Sequence, residues 1–187
     1  ILLIFSAALG VRLGIVLYLD NYHSPVTWEY GEIAQGLVEG KGFAVHAAGD
    51  YAIYQGYRSW IPPLYPSLLA GFIYFGGTSA FLLLELLQAV LGACTCLLIY
   101  ALGKELFGRS TACVGAIALS FYPPLVIKIA YIDPITIEVL LLVAAFLLLA
   151  RCGEKPSLAK GIAAGWLLGL FALSRPALFP CAALLFG

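Results

Sequence analysis

The sequence predicts an all-α fold, a polytopic transmembrane helical bundle, and three observations predict it. Of 187 residues, 63% are hydrophobic and 11% charged, with a mean hydropathy of +1.00, far outside the composition of a water-soluble domain. Apolar runs near the roughly 17–25 residues that a bilayer core requires recur along the chain. Five of the ten basic residues gather in two short connections that fall on one side when those runs are threaded in turn.

Residues 1–19 form the first expected span. They are too long and uninterrupted for a signal-peptide core, and no small-residue cleavage pattern follows them. Residues 20–78 read as an outer loop with interfacial helices. Within it, 26–38 is amphipathic: Ile33, Leu37 and Val38 fall on one side, while Glu29, Glu32 and Gln35 lie toward the other. "GKG" at 40–42 then stops the helix. The stretch "PLYPSLLAGFIYFGG", 63–77, has an apolar part of about 13 residues, short for a span and suited to an interfacial or re-entrant helix. Four further spans are expected at about 79–103, 110–129, 134–150 and 161–179.

Charge placement supports this five-span threading. Lys104 and Arg109 in one loop, and Arg151, Lys155 and Lys160 in another, share a side that the positive-inside rule makes cytoplasmic. Asp133 and the 20–62 loop fall opposite. If 63–77 crossed as well, a helix elsewhere would have to be lost. The whole of 1–187 then reads as a single transmembrane domain. Because it opens on Ile1 and stops at Gly187 within an apolar run, we expect an excerpt of a longer chain.

The formal net charge is zero, so neither a basic nucleic-acid surface nor an acidic tail is present. Membrane lipids are the expected surroundings, and nucleic acid is not an expected partner. Five cysteines (Cys94, Cys96, Cys113, Cys152 and Cys181) contain no CxxC, and only His23 and His46 could join them in a metal site. They read as small apolar packing residues, with Cys94 and Cys96 on different faces of one helix. No carboxylate pair has convincing metal-ligand spacing, and no metal is expected.

Charges inside apolar runs need partners, because an unpaired one costs roughly 2.5–3.5 kcal/mol at the helix centre. Arg12 is too deep in the first span to snorkel easily and is expected to pair with an acid. Glu138 is expected to pair with Lys128 or to be neutral. Glu85 and Gln88, three apart, share a face and are expected to line one cavity. Asp133 before Pro134 is the pattern of a helix start, and one carboxylate oxygen could cap while the other faces a site. Trp28, Tyr30, Tyr51, Tyr54, Tyr57 and Trp60 form an interfacial belt around the outer loop.

Taken in order, "TWEYGEIAQGLVEGKGF", "PPLYPSLLAGFIYFGG", "YALGKELFGRS", "FYPPLVIKIAYIDP" and "GLFALSRPALF", after an apolar helix containing Arg12, resemble the amino-terminal half of the GT-C membrane glycosyltransferases. The branch they look most like is family 39, the dolichyl-phosphate-mannose protein mannosyltransferase type. The resemblance runs over nearly the whole chain. It implies inverting transfer of a hexosyl or pentosyl group, on the outer or lumenal face, from a polyprenyl-phosphate sugar donor to a protein, lipid or glycan acceptor. It further implies a multi-pass protein of a bacterial or archaeal cell membrane with its active face outward, and no cofactor or metal, the lipid-linked sugar phosphate being a substrate.

Residue by residue, the resemblance places the family's acidic base four positions before Tyr30, where this chain has Val26. Glu29, three positions on and roughly on the same helix face, is the nearest carboxylate and the candidate base. Asp133 in "YIDP" matches the family's second outer acid. The lysine expected just before "PPLYP" is replaced by Ile61, leaving Arg58 as the available cation, either on a donor phosphate or at the headgroups. Arg175 in "SRP" matches a family arginine and is a candidate for the lipid phosphate. Tyr30, Tyr65 and Arg12 complete the expected substrate-binding set. Two other readings remain: a catalytically inactive GT-C-like protein that binds or moves polyprenyl lipids, and an unrelated multi-span transporter, which should show a repeat and broken helices at mid-membrane.

Overall fold

The computed structural model describes residues 1–44, 61–154 and 157–176. Arg58, His46, Cys181, Lys155 and the aromatics Tyr51, Tyr54, Tyr57 and Trp60 lie outside the described residues. Among those described there are eight α-helices: α1 (Leu2–Leu19), α2 (Trp28–Val38), α3 (Leu64–Gly76), α4 (Ala80–Phe107), α5 (Arg109–Ser120), α6 (Pro123–Ile127), α7 (Ile135–Glu154) and α8 (Leu158–Ser174).

Helix α4 is the central post, in contact with α1, α3, α5 and α7. Its buried positions include Ala80, Ala89, Gly92, Ala93 and Cys96, small residues that let neighbouring backbones approach closely where lipid supplies no hydrophobic drive. Against them α1 presents Ala8, Arg12 and Val16 at four-residue spacing. Ala8 packs with Ala93 and Cys96, and Val16 with Ala89 and Ile129. Outward positions such as Leu2, Leu3, Leu17, Phe75 and Trp166 are apolar and exposed, as a surface solvated by acyl chains requires. Cys94 is partly exposed and Cys96 buried, which follows from their two-residue spacing on α4.

By length and composition, Leu2–Leu19, Leu64–Phe107 and Ile135–Gly153 could each cross a membrane. The bent pair Arg109–Ser120 and Pro123–Ala130 could make a fourth, and Leu158–Ser174 is a shorter apolar helix. The stretch 64–107 is not one rod. A continuous helix would separate residues 65 and 88 by about 35 Å, whereas the Tyr65 hydroxyl donates to Gln88 Oε1 at 3.2 Å. The chain therefore doubles back at the Gly76–Gly77 turn, and α3 lies along the first half of α4.

The expected single helix over 110–129 is corrected by the structure, which breaks it with a bend of 51°. Two consecutive prolines are the cause. Tyr122, held out of the helical region by the proline after it, is extended at ψ 108°, and Pro123 begins α6. Helices α7 and α8 form a hairpin. At its closed end Arg151 Nε meets Glu105 Oε1 at 3.1 Å, and Lys160 Nζ donates to the Arg151 carbonyl at 3.0 Å. Both basic connections thus sit at one end of the bundle.

At the opposite end α2 packs on α3, with Ala34, Tyr65, Leu69, Ala70, Leu84 and Ile132 as a shared core. Its carboxyl end is a Schellman motif: Lys41 N–H bonds to the Gly36 carbonyl at 2.8 Å and Gly40 N–H to the Leu37 carbonyl at 3.2 Å. Gly40 holds the required left-handed conformation at φ 74°.

Candidate active site

The start of α7 gathers the charges. Pro134 presets the helical turn, and the Asp133 Oδ1 oxygen accepts the Ile135 N–H at 3.0 Å, satisfying one of the donors that a helix start leaves open. Its other oxygen, Oδ2, accepts from Lys128 Nζ at 2.6 Å. One carboxylate thus caps a helix and holds a cation at once.

Further along α7, Glu138 is buried, with 3% of its side chain exposed. Its two oxygens are taken by consecutive residues at the end of α8: Arg175 Nε at 3.0 Å and Ser174 Oγ at 2.9 Å. The expected Glu138–Lys128 pairing is therefore corrected. Lys128 sits on the connection before α7 and reaches the carboxylate nearer to it, whereas Arg175 arrives from the neighbouring helix at the depth of Glu138. Arg175 keeps 47% of its side chain exposed, so its guanidinium is anchored on one side and open on the other.

Two tyrosines border this cluster. Tyr30, in the first turn of α2, meets the Tyr65 ring edge to face at a centroid distance of 5.4 Å. Burial raises the Tyr30 pKa above its ordinary value; the charges of Asp133, Glu138 and Glu29 act the same way and Arg175 opposes them. Those contributions also locate Tyr30 within electrostatic reach of both acids and of Arg175. Its phenol stays protonated and available as a donor.

Beneath Tyr65 lies a buried carboxamide. Gln88 accepts from Tyr65 and donates to the carbonyls of Ile129 at 2.8 Å and Tyr131 at 3.1 Å. Glu85, also fully buried, has no hydrogen-bond partner on either oxygen among the described residues. The two were expected to line one cavity. Instead, Gln88 bonds within the protein, and Glu85 is enclosed without a described partner.

Glu29 lies in the first turn of α2, is exposed, and makes no hydrogen bond or ion pair among the described residues. Val26, at the position where the resemblance puts an acid, is 58% exposed just before the helix. The structure does not bring Arg12 into this cluster. It is 1% exposed in the middle of α1, and the expected acidic partner is corrected: its Nη1 donates to the carbonyls of Ala8 at 3.0 Å and Ser120 at 3.2 Å. Ser120 ends α5, where unpaired carbonyls and the negative pole of the helix dipole take the place of a carboxylate. Gly92 leaves the room, since a Cβ there would stand 2.6 Å from Arg12 Nε.

Ser174 is a site residue that no sequence signal singled out. A signal for Glu138–Arg175 did exist: the two lie at nearly equal distances along the chain from the connection between α7 and α8, so an antiparallel hairpin brings them close to level.

Residues 61–186 match the family model described as dolichyl-phosphate-mannose-protein mannosyltransferase. The chain belongs to that family. No curated protein and no solved structure matches it. The stretch that carries this mannosyltransferase-family match includes Tyr65, Gln88, Lys128, Asp133, Glu138 and Arg175, whereas Arg12, Glu29 and Tyr30 precede it. Membership makes the protein a GT-C-type glycosyltransferase relative and an integral membrane protein. It sets aside the reading as an unrelated transporter.

Proposed function

We propose that this mannosyltransferase-family chain transfers a sugar from a polyprenyl-phosphate donor to an acceptor hydroxyl on the outer or lumenal face, with inversion at the sugar carbon. The observation that carries the proposal is the convergence, at one end of the bundle, of two acid–cation pairs, Asp133–Lys128 and Glu138–Arg175, beside the phenols of Tyr30 and Tyr65. A phosphate leaving on its lipid needs cations and donors fixed in advance. Arg175, tethered through Nε and half exposed, presents such a group, with Tyr30 within its electrostatic reach. Arg58 joins this set as a second proposed phosphate ligand. Arg12 is assigned instead to holding α1 against α5.

In the proposed step the acceptor oxygen attacks the anomeric carbon opposite the phosphate. The new C–O bond forms as the sugar–phosphate bond breaks, and its electron pair leaves with the phosphate. The acceptor proton passes to Glu29, exposed in the first turn of α2. Asp133 orients Lys128 and caps α7. No metal or cofactor enters the proposal, so EDTA should leave transfer unchanged; its loss on chelation, restored by a divalent ion, would contradict that.

Glu29→Gln keeps size and hydrogen bonding but removes the base, and should lower transfer by about 10²- to 10⁴-fold with donor binding retained. Full activity in this variant would remove Glu29 from the mechanism. Val26 favours one second reading, a relic that binds or moves polyprenyl lipid without catalysis. That reading predicts an inactive wild type in which Val26→Asp creates transfer.

A further inference from the structure

The segment between α6 and α7 carries both members of the Asp133–Lys128 pair, yet it is short and irregular. Residues Lys128–Ala130 form a single 3₁₀ turn, and Tyr131 is extended. Three consecutive carbonyls along it are each held by a side-chain amide from another element. Gln88 of α4 takes those of Ile129 and Tyr131 at 2.8 and 3.1 Å, and Asn21, just after α1, takes that of Ala130 at 2.9 Å. Gln88 is fully buried, and its amide orientation is dictated by its surroundings. Rotated by half a turn, its oxygen would face two carbonyl oxygens; as placed, both N–H groups donate and Oε1 accepts from Tyr65.

We propose that Gln88 and Asn21 are positioning residues, two carboxamides that clamp the 129–131 strap and thereby fix Lys128 and Asp133 at its two ends. The role in transfer rests on the function proposed above; the clamp itself does not. Broken helices in membrane proteins must satisfy their freed carbonyls somewhere, and isolated satisfaction would need only one partner each. Here one side chain bridges two carbonyls, a second takes the carbonyl between them, and the bridging residue is tied through Tyr65 to Tyr30 at the site's edge. The strap therefore cannot shift without breaking bonds to α4 and to the end of α1 together.

The test uses the full-length protein with its native cysteines replaced and a spin label on Tyr131→Cys, a position that is 41% exposed. Gln88→Leu, similar in size and apolar, should sharpen the label's spectrum from immobile to mobile. Asn21→Ala should do so in part. A label placed on Thr78, away from the strap, should not change, which separates a loosened strap from a loosened bundle. In transfer assays with a polyprenyl-phosphate sugar, Gln88→Leu should lower kcat by about 10²-fold, the scale of a misplacement near 1 Å, with the donor KM little changed. An unaltered Tyr131 label in Gln88→Leu overturns the clamp, whatever the activity. A mobile label with undiminished kcat overturns the positioning role. A wild type without transfer would instead count against the proposed function, and the label would still decide the clamp.

Discussion

Glu138 is a buried carboxylate whose charge is balanced by one half-exposed arginine, so the two ends of that contact should respond differently to substitution. Arg175→Ala leaves the carboxylate uncompensated, and it should cost about 3 kcal/mol, the lower end for breaking a buried pair, read as a lower unfolding temperature in detergent. Adding Glu138→Gln to Arg175→Ala should restore most of that stability without restoring donor use. Arg175→Lys should keep the fold while weakening the donor, because a point charge does not reproduce a planar fork. Unchanged donor kinetics in Arg175→Lys would assign the residue to structure alone. At this scale the sequence exposed which charges matter but not how they pair. Lys128 reaches Asp133 because both lie on one strap, and Arg12 uses the end of α5, a partner that no residue type announces.

At the scale of elements, the breaks carry more information than the helices. The expected span over 110–129 counted apolar residues alone, and the Pro123–Pro124 pair within it went unused; apolar length marks what can lie in lipid, whereas proline fixes where a helix ends. The amphipathic segment and its glycine stop were legible, because the side-chain period and the Gly40 position are local properties. The fold-back of α3 was legible only as a shortness of apolar length. The cap of α2 makes a local prediction. Gly40→Ala forces a Cβ into the left-handed region and should destabilise by about 1 kcal/mol, seen as faster proteolysis after α2. Gly71→Ala, within α3 where an added Cβ meets nothing within 4 Å, serves as the control. Equal proteolysis in both would mean the Schellman motif contributes nothing to holding the loop.

For the whole molecule, the Arg151–Glu105 contact places both basic connections at one end and the site cluster at the other. We propose the five-span threading on that basis, with α3 returning to the face it came from. Single cysteines at Ser24, Thr78 and Ser110, all exposed, should then label with Ser24 and Thr78 accessible from the same side and Ser110 from the opposite one. Thr78 labelling with Ser110 would mean that α3 crosses.

The Arg12 contact also has a history in time. Its own helix emerges from the ribosome long before Ser120 does, so α1 must enter the bilayer with a guanidinium held only by the Ala8 carbonyl, at a cost near 2.5–3.5 kcal/mol for a central arginine. The leucine-rich flanks of α1 can offset that cost, yet the helix stays marginal until the carboxyl end of α5 arrives. Truncations ending before α5 should therefore show incomplete insertion of α1 by glycosylation mapping, and Arg12→Leu should abolish the dependence on length. Equal insertion of short and long products would mean that the arginine is accommodated by lipid from the start. Insertion that depends on length, as expected, means that the bundle is assembled in two stages, with a later helix locking in one already in the membrane.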